Sequence, residues 1–326
     1  MPICAVPAVL QRRGVFPPSS IARLALLLGS LLLPWAASAR AQVAADSSGL
    51  HPYRLALLGG TGLGIHYLGF KYFDNAWWQG KEQDHIRWLY DWYGDAYLDM
   101  DKGGHFMSGM LLAQTLADAY GWGGVSPRLA ALAGTLTSWG LLFEVEMRDA
   151  YFDQWGFSIP DFTANTIGAT VPLVHTLWPA SRAVRFKFGY FPSDLYLHRT
   201  QRQAEHRPFT KHIIDDYEGM TVWMTISVNH FLRGQAEEVW PDFFGLALGY
   251  GVTGLWGSNE KSKGNRIKKY DLPDARPELF VALDWDPRFL PGDGKVWRYF
   301  KEQVNWLHLP APALRVYPER RFYLLF

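Results

Sequence analysis

The hydrophobic pattern of this chain changes near residue 182, and that change limits the folds it can adopt. Upstream, four apolar stretches have the length of helices and cover residues 55–73, 103–120, 128–153 and 159–178. Downstream, apolar and polar residues alternate over 220–228, 244–251 and 278–285. Alternation of this kind is typical of half-buried strands. Because the helices precede the strands, the pattern predicts an α+β fold: a small four-helix bundle followed by an antiparallel, β-rich C-terminal half.

The first 41 residues have the features of an export signal. Arg12, Arg13 and Arg23 precede an apolar run over residues 24–35, and small residues follow it. A positive start, a short apolar segment and small residues at the exit are typical of a cleaved signal peptide. An uncleaved anchor helix is the alternative. Cleavage would also remove Cys4, the only cysteine, so the mature chain is expected to have neither a disulfide nor a cysteine metal ligand.

The expected organisation of the chain follows these patterns. We expect a signal peptide over residues 1–41, a first helix and an aromatic-rich connector over 42–100, a helical core with a polar motif over 101–181, and a β-rich region over 182–326. The connector places Trp77, Trp78, Trp88 and Trp92 among charged residues. Such a segment is typical of a membrane headgroup boundary, a sugar-stacking surface or a plain amphipathic helix, and periodicity does not distinguish these three.

Association with a membrane is predicted from the helical half. Its apolar stretches have uncharged cores of about 15–19 residues, close to the length that spans a bilayer. Small residues recur every four positions, as in Gly109, Ala113 and Ala117, a spacing that lets membrane helices approach closely. A tightly packed bundle outside the membrane would look similar. At the C-terminus, Phe322, Leu324 and Phe326 occupy every second position, a pattern that resembles the closing strand of outer-membrane barrels. We therefore expect an exported, periplasm-facing protein of the cell envelope, associated with the outer membrane.

The net charge of the chain excludes one class of binding partner. The formal net charge is +1, which excludes a strongly basic nucleic-acid-binding protein. For an exported envelope protein, the partner that we expect is a membrane lipid or an envelope glycan, and no nucleic acid. The sequence identifies no protein partner.

Polar residues interrupt the apolar helices near three of their ends. These candidate site residues are Asp101, Lys102, His105, Glu144, Glu146, Arg148, Asp149, Asp153, Asp161 and Asn165. Taken singly, each has an ordinary explanation as a helix cap, an ion pair or a satisfied core histidine. Consecutive antiparallel helices, however, place the start of the second beside the end of the third, and the fourth begins nearby. We therefore expect Asp101, His105, Glu144, Asp161 and Asn165 to converge on one polar pocket.

Three interpretations of this pocket stay open. The favoured one is not an enzyme: the cluster holds a polar lipid head or a glycan fragment, with Lys102 as a positive charge, and needs no cofactor. The second is a hydrolase in which His105, Glu144 and Asp161 bind a divalent metal such as zinc, with Glu146 as base. Glu144 and Glu146 point about 200° apart on a helix, so they cannot both line one site. The third is a purely structural envelope protein.

The polar motifs resemble a known family. Its pattern is matched by Asp101, Lys102, His105, Glu144, Glu146, Asp149, Asp153, Trp155, Gly156, Phe157, Ser158, Asp161, Ala164, Asn165 and Gly168. These residues are similar to the YfiM-like predicted periplasmic lipoproteins, domain of unknown function 2279. The helical half also has a weaker similarity to VanZ-like membrane proteins, which lack the strand-rich half. The resemblance implies an envelope location and supplies no mechanism.

Overall fold

Four long helices form the first half of the structure. The structure is a computed structural model, and it describes residues 49–92, 97–207, 209–232, 239–255 and 274–326. The four helices are α1 (Pro52–Ala76), α2 (Met100–Trp122), α3 (Pro127–Asp149) and α4 (Ile159–Leu177). Each helix covers most of one apolar stretch of the sequence, and α3 ends at Asp149, four residues before the stretch over 128–153 does. None of the helices in the described part of the chain combines the length and the apolar character that a membrane span requires. The expected signal peptide, residues 1–41, lies outside the described residues.

Close backbone contacts hold α2, α3 and α4 together. A methyl group added to Gly109 of α2 would lie 2.4 Å from the carbonyl oxygen of Asn165 in α4. One added to Gly134 of α3 would lie 2.5 Å from the carbonyl oxygen of Ala113. Ser138 of α3 also donates a hydrogen bond to the carbonyl oxygen of Gly109, at 3.0 Å. The small residues therefore let three helices approach closely, and this approach brings the polar positions of α2 and α4 together.

Replacing Gly168 of α4 by alanine is expected to destabilise the protein by about 1–3 kcal/mol, as overpacking of a filled interior does. The added carbon would lie 1.9 Å from the carbonyl oxygen of Phe106, a backbone atom that cannot move without shifting α2. Gly140→Ala on α3 is the matched control, because no atom in the described part of the chain lies within 4 Å of the added carbon. The control is expected to be neutral or stabilising by up to about 1 kcal/mol. Urea unfolding of both variants checks the prediction, and equal midpoints would contradict it.

Helix α1 lies outside this core, since none of its residues is buried. It is tied to the other helices by a few side chains, including Arg54, which donates to the carbonyl oxygen of Trp122 at 3.0 Å. A carbon added to any glycine of α1 would meet no atom of the described residues within 4 Å. The predicted four-helix bundle is therefore a core of three helices with α1 at its periphery.

The C-terminal half is built on an antiparallel six-stranded sheet whose strands are neighbours in sequence order. The strands are β3 (Val184–Tyr190), β4 (Met220–Ile226), β5 (Phe244–Thr253), β6 (Arg276–Trp285), β7 (Ala313–Tyr317) and β8 (Arg321–Tyr323). Strands β1 (Trp88–Leu89) and β2 (Phe157–Ser158) form a separate parallel pair. Three short helices complete the described part: α5 (Asp194–Leu197), α6 (Arg199–Ala204) and α7 (Lys295–Gln303). The predicted α+β fold with an antiparallel C-terminal sheet is confirmed.

One face of the sheet buries charge as well as apolar side chains. Trp223 and Phe280 form its apolar core. Beside them, Lys187 Nζ lies 2.9 Å from Asp284 Oδ2, and neither side chain has any exposed surface. His308 stacks on Trp223 with ring centroids 3.9 Å apart, and its Nδ1 lies 3.2 Å from Asp284 Oδ1. Burial lowers the pKa of Lys187, and the Asp284 carboxylate opposes that shift. The lysine is thus held in the interior by its buried partner.

The start of α2 rests on the opposite face of the same sheet. Phe106 of α2 packs edge-on against Phe186 of β3, with ring centroids 4.7 Å apart. A turn of three consecutive residues with positive φ leads into the helix: Tyr97, Leu98 and Asp99, at 47°, 53° and 62°. Positive φ is uncommon for residues other than glycine, and three in a row need support from their surroundings. The sheet and this turn together fix where α2 begins, and the polar residues of α2 follow at once.

Candidate functional site

Polar side chains from three helix ends and the connector meet in one group, which we call the polar cluster. It comprises Asp91, Asp101, Lys102, His105, Glu146, Ser158, Asp161 and Asn165. Asp101, Lys102 and His105 come from the first turns of α2, Glu146 from the last turn of α3, and Asp161 and Asn165 from the start of α4. The close packing of α2 against α4 places these side chains within contact distance.

Lys102 lies at the centre of three carboxylates. Its Nζ is 2.5 Å from Asp91 Oδ2, 2.9 Å from Asp101 Oδ2 and 3.2 Å from Asp161 Oδ1. Burial disfavours the lysine charge, but Asp101 and Asp161 outweigh it and raise the pKa of Lys102 above its ordinary value. Lys102 is therefore charged, and its charge is shared among acids that already surround it.

His105 lies between the carboxyl groups of Glu146 and Asp161, the second of which also contacts Lys102. Its Nδ1 is 3.2 Å from Asn165 Oδ1 and 3.5 Å from Glu146 Oε1. Its Nε2 is 3.9 Å from Asp161 Oδ2. The His105 side chain is 27% exposed, more than the side chains of Glu146 and Asp161. The histidine thus forms the side of the cluster that solvent reaches.

Glu146 is the most deeply buried acid of the group, with 1% of its surface exposed. Its Oε1 accepts a hydrogen bond from Asn165 Nδ2 and its Oε2 one from the Ser158 backbone N–H, both at 3.3 Å. Burial, with the charges of Asp161 and Asp149, raises the pKa of Glu146 to about 9. Burial and the charge of Asp161 likewise raise the pKa of Asp101 to about 7. The cluster therefore holds more carboxyl groups than its own cations can compensate, and Glu146 keeps a proton at neutral pH.

The short β1–β2 pair brings Asp91 to the cluster. Leu89 pairs with Ser158 in that ladder, and two residues later Asp91 Oδ1 accepts a hydrogen bond from Ser158 Oγ at 2.7 Å. The same Ser158 Oγ caps α4 by accepting from the Asp161 backbone N–H at 3.1 Å. Sequence reasoning missed Asp91. The only sequence signal was an acid directly after a short apolar segment in the connector, which is not specific.

Four of the predicted site residues lie outside the polar cluster. The expected convergence of Glu144 is wrong: its Oε2 lies 2.9 Å from His66 Nε2 of α1, on the exposed side of α3. Residues 144 and 146 face opposite sides of the helix, and the inward side carries Glu146. The other three are placed as follows: Arg148 pairs with Glu82 and Asp74, Asp149 accepts from Trp78 Nε1 at 2.5 Å, and Asp153 is exposed.

Two sets of side chains in the cluster have the spacing of metal ligands. His105, Glu146 and Asp161 each offer one ligand atom, and these three atoms lie within 4.8 Å of one another. Asp91, Asp101 and Asp161 form the second set. Lys102 Nζ contacts all three acids of the second set, so a cation there would face the ammonium group. The set that includes His105 is therefore the better candidate, with Glu146 where the sequence interpretation had Glu144.

Comparison with known proteins supports the family expected from the motifs. Residues 91–176 match the model of a family described as predicted periplasmic lipoprotein, DUF2279. The match confirms that resemblance over about a quarter of the chain, and this part contains every residue of the polar cluster. The description supports an exported, periplasmic location in the cell envelope. The comparisons do not show the VanZ-like similarity. Searches of curated proteins and of solved structures found no match.

Proposed function

We propose that the polar cluster is the ligand-binding site of an exported envelope protein. Its ligand brings positive charge or hydrogen-bond donors, as the ammonium and hydroxyl groups of envelope lipids and glycans do. The charge balance carries this proposal: four carboxyl groups, those of Asp91, Asp101, Glu146 and Asp161, surround Lys102 and His105. Buried carboxylates are stable only when they are paired, hydrogen-bonded or protonated. A donor group entering the cluster would satisfy them.

The same balance argues against a ligand that binds through phosphate. Lys102 is the lysine at the centre of the cluster, and its ammonium already contacts three carboxylates. Arg148, the other cation considered from the sequence, pairs with Glu82 at 3.2 Å instead. A phosphate at the cluster would therefore meet mainly negative charge. The ligand chemistry that fits is a cation or a hydrogen-bond donor, such as the ammonium or hydroxyl group of a lipid or a sugar.

Access to the cluster is from the His105 side. The His105 side chain is more exposed than those of Glu146 and Asp161, and its Nε2 lies 3.9 Å from Asp161 Oδ2. A ligand that enters here meets Asp161 Oδ2 before the more deeply buried Glu146. Asp161 is therefore the carboxylate whose replacement tests binding most directly.

Replacing Asp161 by asparagine is expected to weaken binding of an ammonium-bearing probe by about tenfold or more. A hydrogen bond to a charged group contributes about 1.5–3 kcal/mol, and the change removes the charge. Asparagine keeps the backbone N–H that bonds to Ser158, so α4 keeps its cap. The measurement is calorimetric titration with short-chain phospholipids that carry ethanolamine, glycerol or choline. Ethanolamine should bind best and choline worst, because choline has charge but no N–H donor. Glucosamine in a parallel titration tests whether a sugar can supply the ammonium group.

Asp153→Asn is the matched control, since Asp153 is an exposed acid of the same region and lies outside the polar cluster. Its binding of the probes should equal that of the unmodified protein. Equal affinity for ethanolamine and choline, or the same loss in both variants, would contradict the proposed site. Absence of binding by all four probes would contradict an ammonium or hydroxyl ligand, and absence of metal binding as well would favour the purely structural interpretation.

A further inference from the structure

We propose that the positively charged ligand of the polar cluster is a divalent metal ion such as zinc, held by His105 of α2, Glu146 of α3 and Asp161 of α4. This inference rests on the proposed function, because it names the ligand of the same site. It differs from the metal set expected from the sequence, in which Glu144 took the place of Glu146. Glu144 is paired with His66 on the other side of α3 and is not available to the cluster.

The ligand set has the composition of a zinc site with an open position. One histidine nitrogen and two carboxylate oxygens are three protein ligands, and zinc sites of this kind keep the fourth position for water or a bound molecule. The metal–ligand distances of about 2.0–2.2 Å in such sites place ligand atoms about 3.3–3.6 Å apart. The three candidate atoms lie within 4.8 Å of one another. A shift of about 1 Å in the carboxylates would therefore close the site around an ion.

A second observation at Asp161 also points to a missing partner. Asp161 is 8% exposed, and its Oδ1 atom is buried. Lys102 Nζ lies 3.2 Å from this oxygen, yet within the described residues no donor makes a hydrogen bond to it. Buried carboxylate oxygens are nearly always hydrogen-bonded or bound to a cation. Oδ1 is therefore attracted by the Lys102 charge without accepting a hydrogen bond in the described part of the chain, and Oδ2, 3.9 Å from His105 Nε2, is the oxygen placed to bind an ion.

The residues around the three ligands are arranged to hold them in place. The Ser158 backbone N–H donates to Glu146 Oε2, and Asn165 Nδ2 donates to Glu146 Oε1, both at 3.3 Å. Asn165 Oδ1 accepts from the Nδ1 side of His105 at 3.2 Å, which leaves Nε2 facing Asp161. Hydrogen bonds of this kind fix the tautomer and the orientation of metal ligands. The cluster therefore contains orienting partners for His105 and Glu146.

The experiment is a titration of chelator-treated protein with Zn²⁺ and, separately, with Mn²⁺. We expect one equivalent of Zn²⁺ per chain by calorimetry and by elemental analysis after gel filtration. His105→Ala and Glu146→Gln should each weaken binding at least 100-fold, since each removes a direct ligand. His66→Ala and Glu144→Gln are the matched controls, because they change an exposed pair on the far side of α3. Both controls should bind zinc as the unmodified protein does. Circular dichroism of each metal-free variant confirms that it is folded.

The outcomes separate this inference from the proposed function. Binding of ethanolamine or glucosamine without stoichiometric metal would overturn the metal site and leave the ligand site standing. Absence of both kinds of binding would overturn both. Zinc that stays bound at full affinity in Glu146→Gln would overturn the assignment of ligands, and loss of zinc in Glu144→Gln alone would restore the set expected from the sequence.

Discussion

Replacing Lys187 by methionine is expected to lower the free energy of unfolding by about 3–5 kcal/mol, the cost of leaving one charge of a buried pair without its partner. Lys187 Nζ lies 2.9 Å from Asp284 Oδ2, and neither side chain has any exposed surface. The ammonium group also donates to the carbonyl oxygen of Trp285 at 2.6 Å. Methionine has a similar length but no charge, so Asp284 would stay buried without its lysine partner, with His308 Nδ1, 3.2 Å from its Oδ1, as a remaining contact. Urea unfolding at neutral pH measures the loss.

Two controls separate charge from packing in this experiment. Adding Asp284→Asn to Lys187→Met should recover part of the lost stability, because it removes the unpaired carboxylate. Arg148→Met breaks ion pairs that are largely exposed, and it should cost less than about 1 kcal/mol. A Lys187→Met protein as stable as the unmodified one would show that the pair is not buried in solution.

The second large effect is a loss of stability as pH rises in the metal-free protein. Burial first, and then Asp161 and Asp149, raise the pKa of Glu146 from 4.5 to about 9, while the Ser158 N–H opposes the shift. The folded protein therefore keeps a proton on Glu146 that the unfolded chain releases above pH 4.5. The contribution of Glu146 to the free energy of unfolding is fully present below pH 4.5 and is lost as the pH rises towards 9. The slope is about 1.4 kcal/mol per pH unit, or about 3 kcal/mol between pH 5 and 7. Asp101, with its pKa raised to about 7, acts in the same direction.

Urea unfolding at pH 5, 6, 7 and 8 in the presence of a chelator checks this prediction. Glu146→Gln carries no titrating proton, so its stability should fall less steeply than that of the unmodified protein. Asp153→Asn, at an exposed position, should keep the original slope. Stability that is flat or rises over this pH range in the unmodified protein would contradict the protonated state of Glu146.

Periodicity predicted most of the regular structure, and its failures have a physical cause. The apolar stretches became helices, and the alternating segments around Trp223, Leu248 and Phe280 became strands β4, β5 and β6. Strand β3 was not identified as a strand. It does alternate, but its buried positions include Arg185 and Lys187, so charged residues stand where apolar ones are expected. Their acidic partners come from about 100 residues later in the chain.

The candidate site could be predicted only in part. Helix order placed the starts of α2 and α4 beside the end of α3, and the structure brings Asp101, His105, Asp161 and Asn165 together there. Helical geometry separated Glu144 from Glu146 but gave no reason to choose between them. The choice depends on which side of α3 packs against α2 and α4. The position of Asp91 in the polar cluster depends on the two-residue β1–β2 ladder. This ladder is too short to produce a periodic signal in the sequence.

The sequential order of the sheet has a consequence for how the protein folds. Each of strands β3 to β8 pairs with the next one along the chain, so the sheet can grow hairpin by hairpin from contacts that are local in sequence. The Lys187–Asp284 pair does not share this locality, because its members are 97 positions apart in the sequence, from 187 in β3 to 284 in β6. Its two charges can leave water together only when β3, β4, β5 and β6 have assembled. We therefore expect the burial of this pair to come late, so that Lys187→Met mainly speeds unfolding and leaves the rate of folding nearly unchanged.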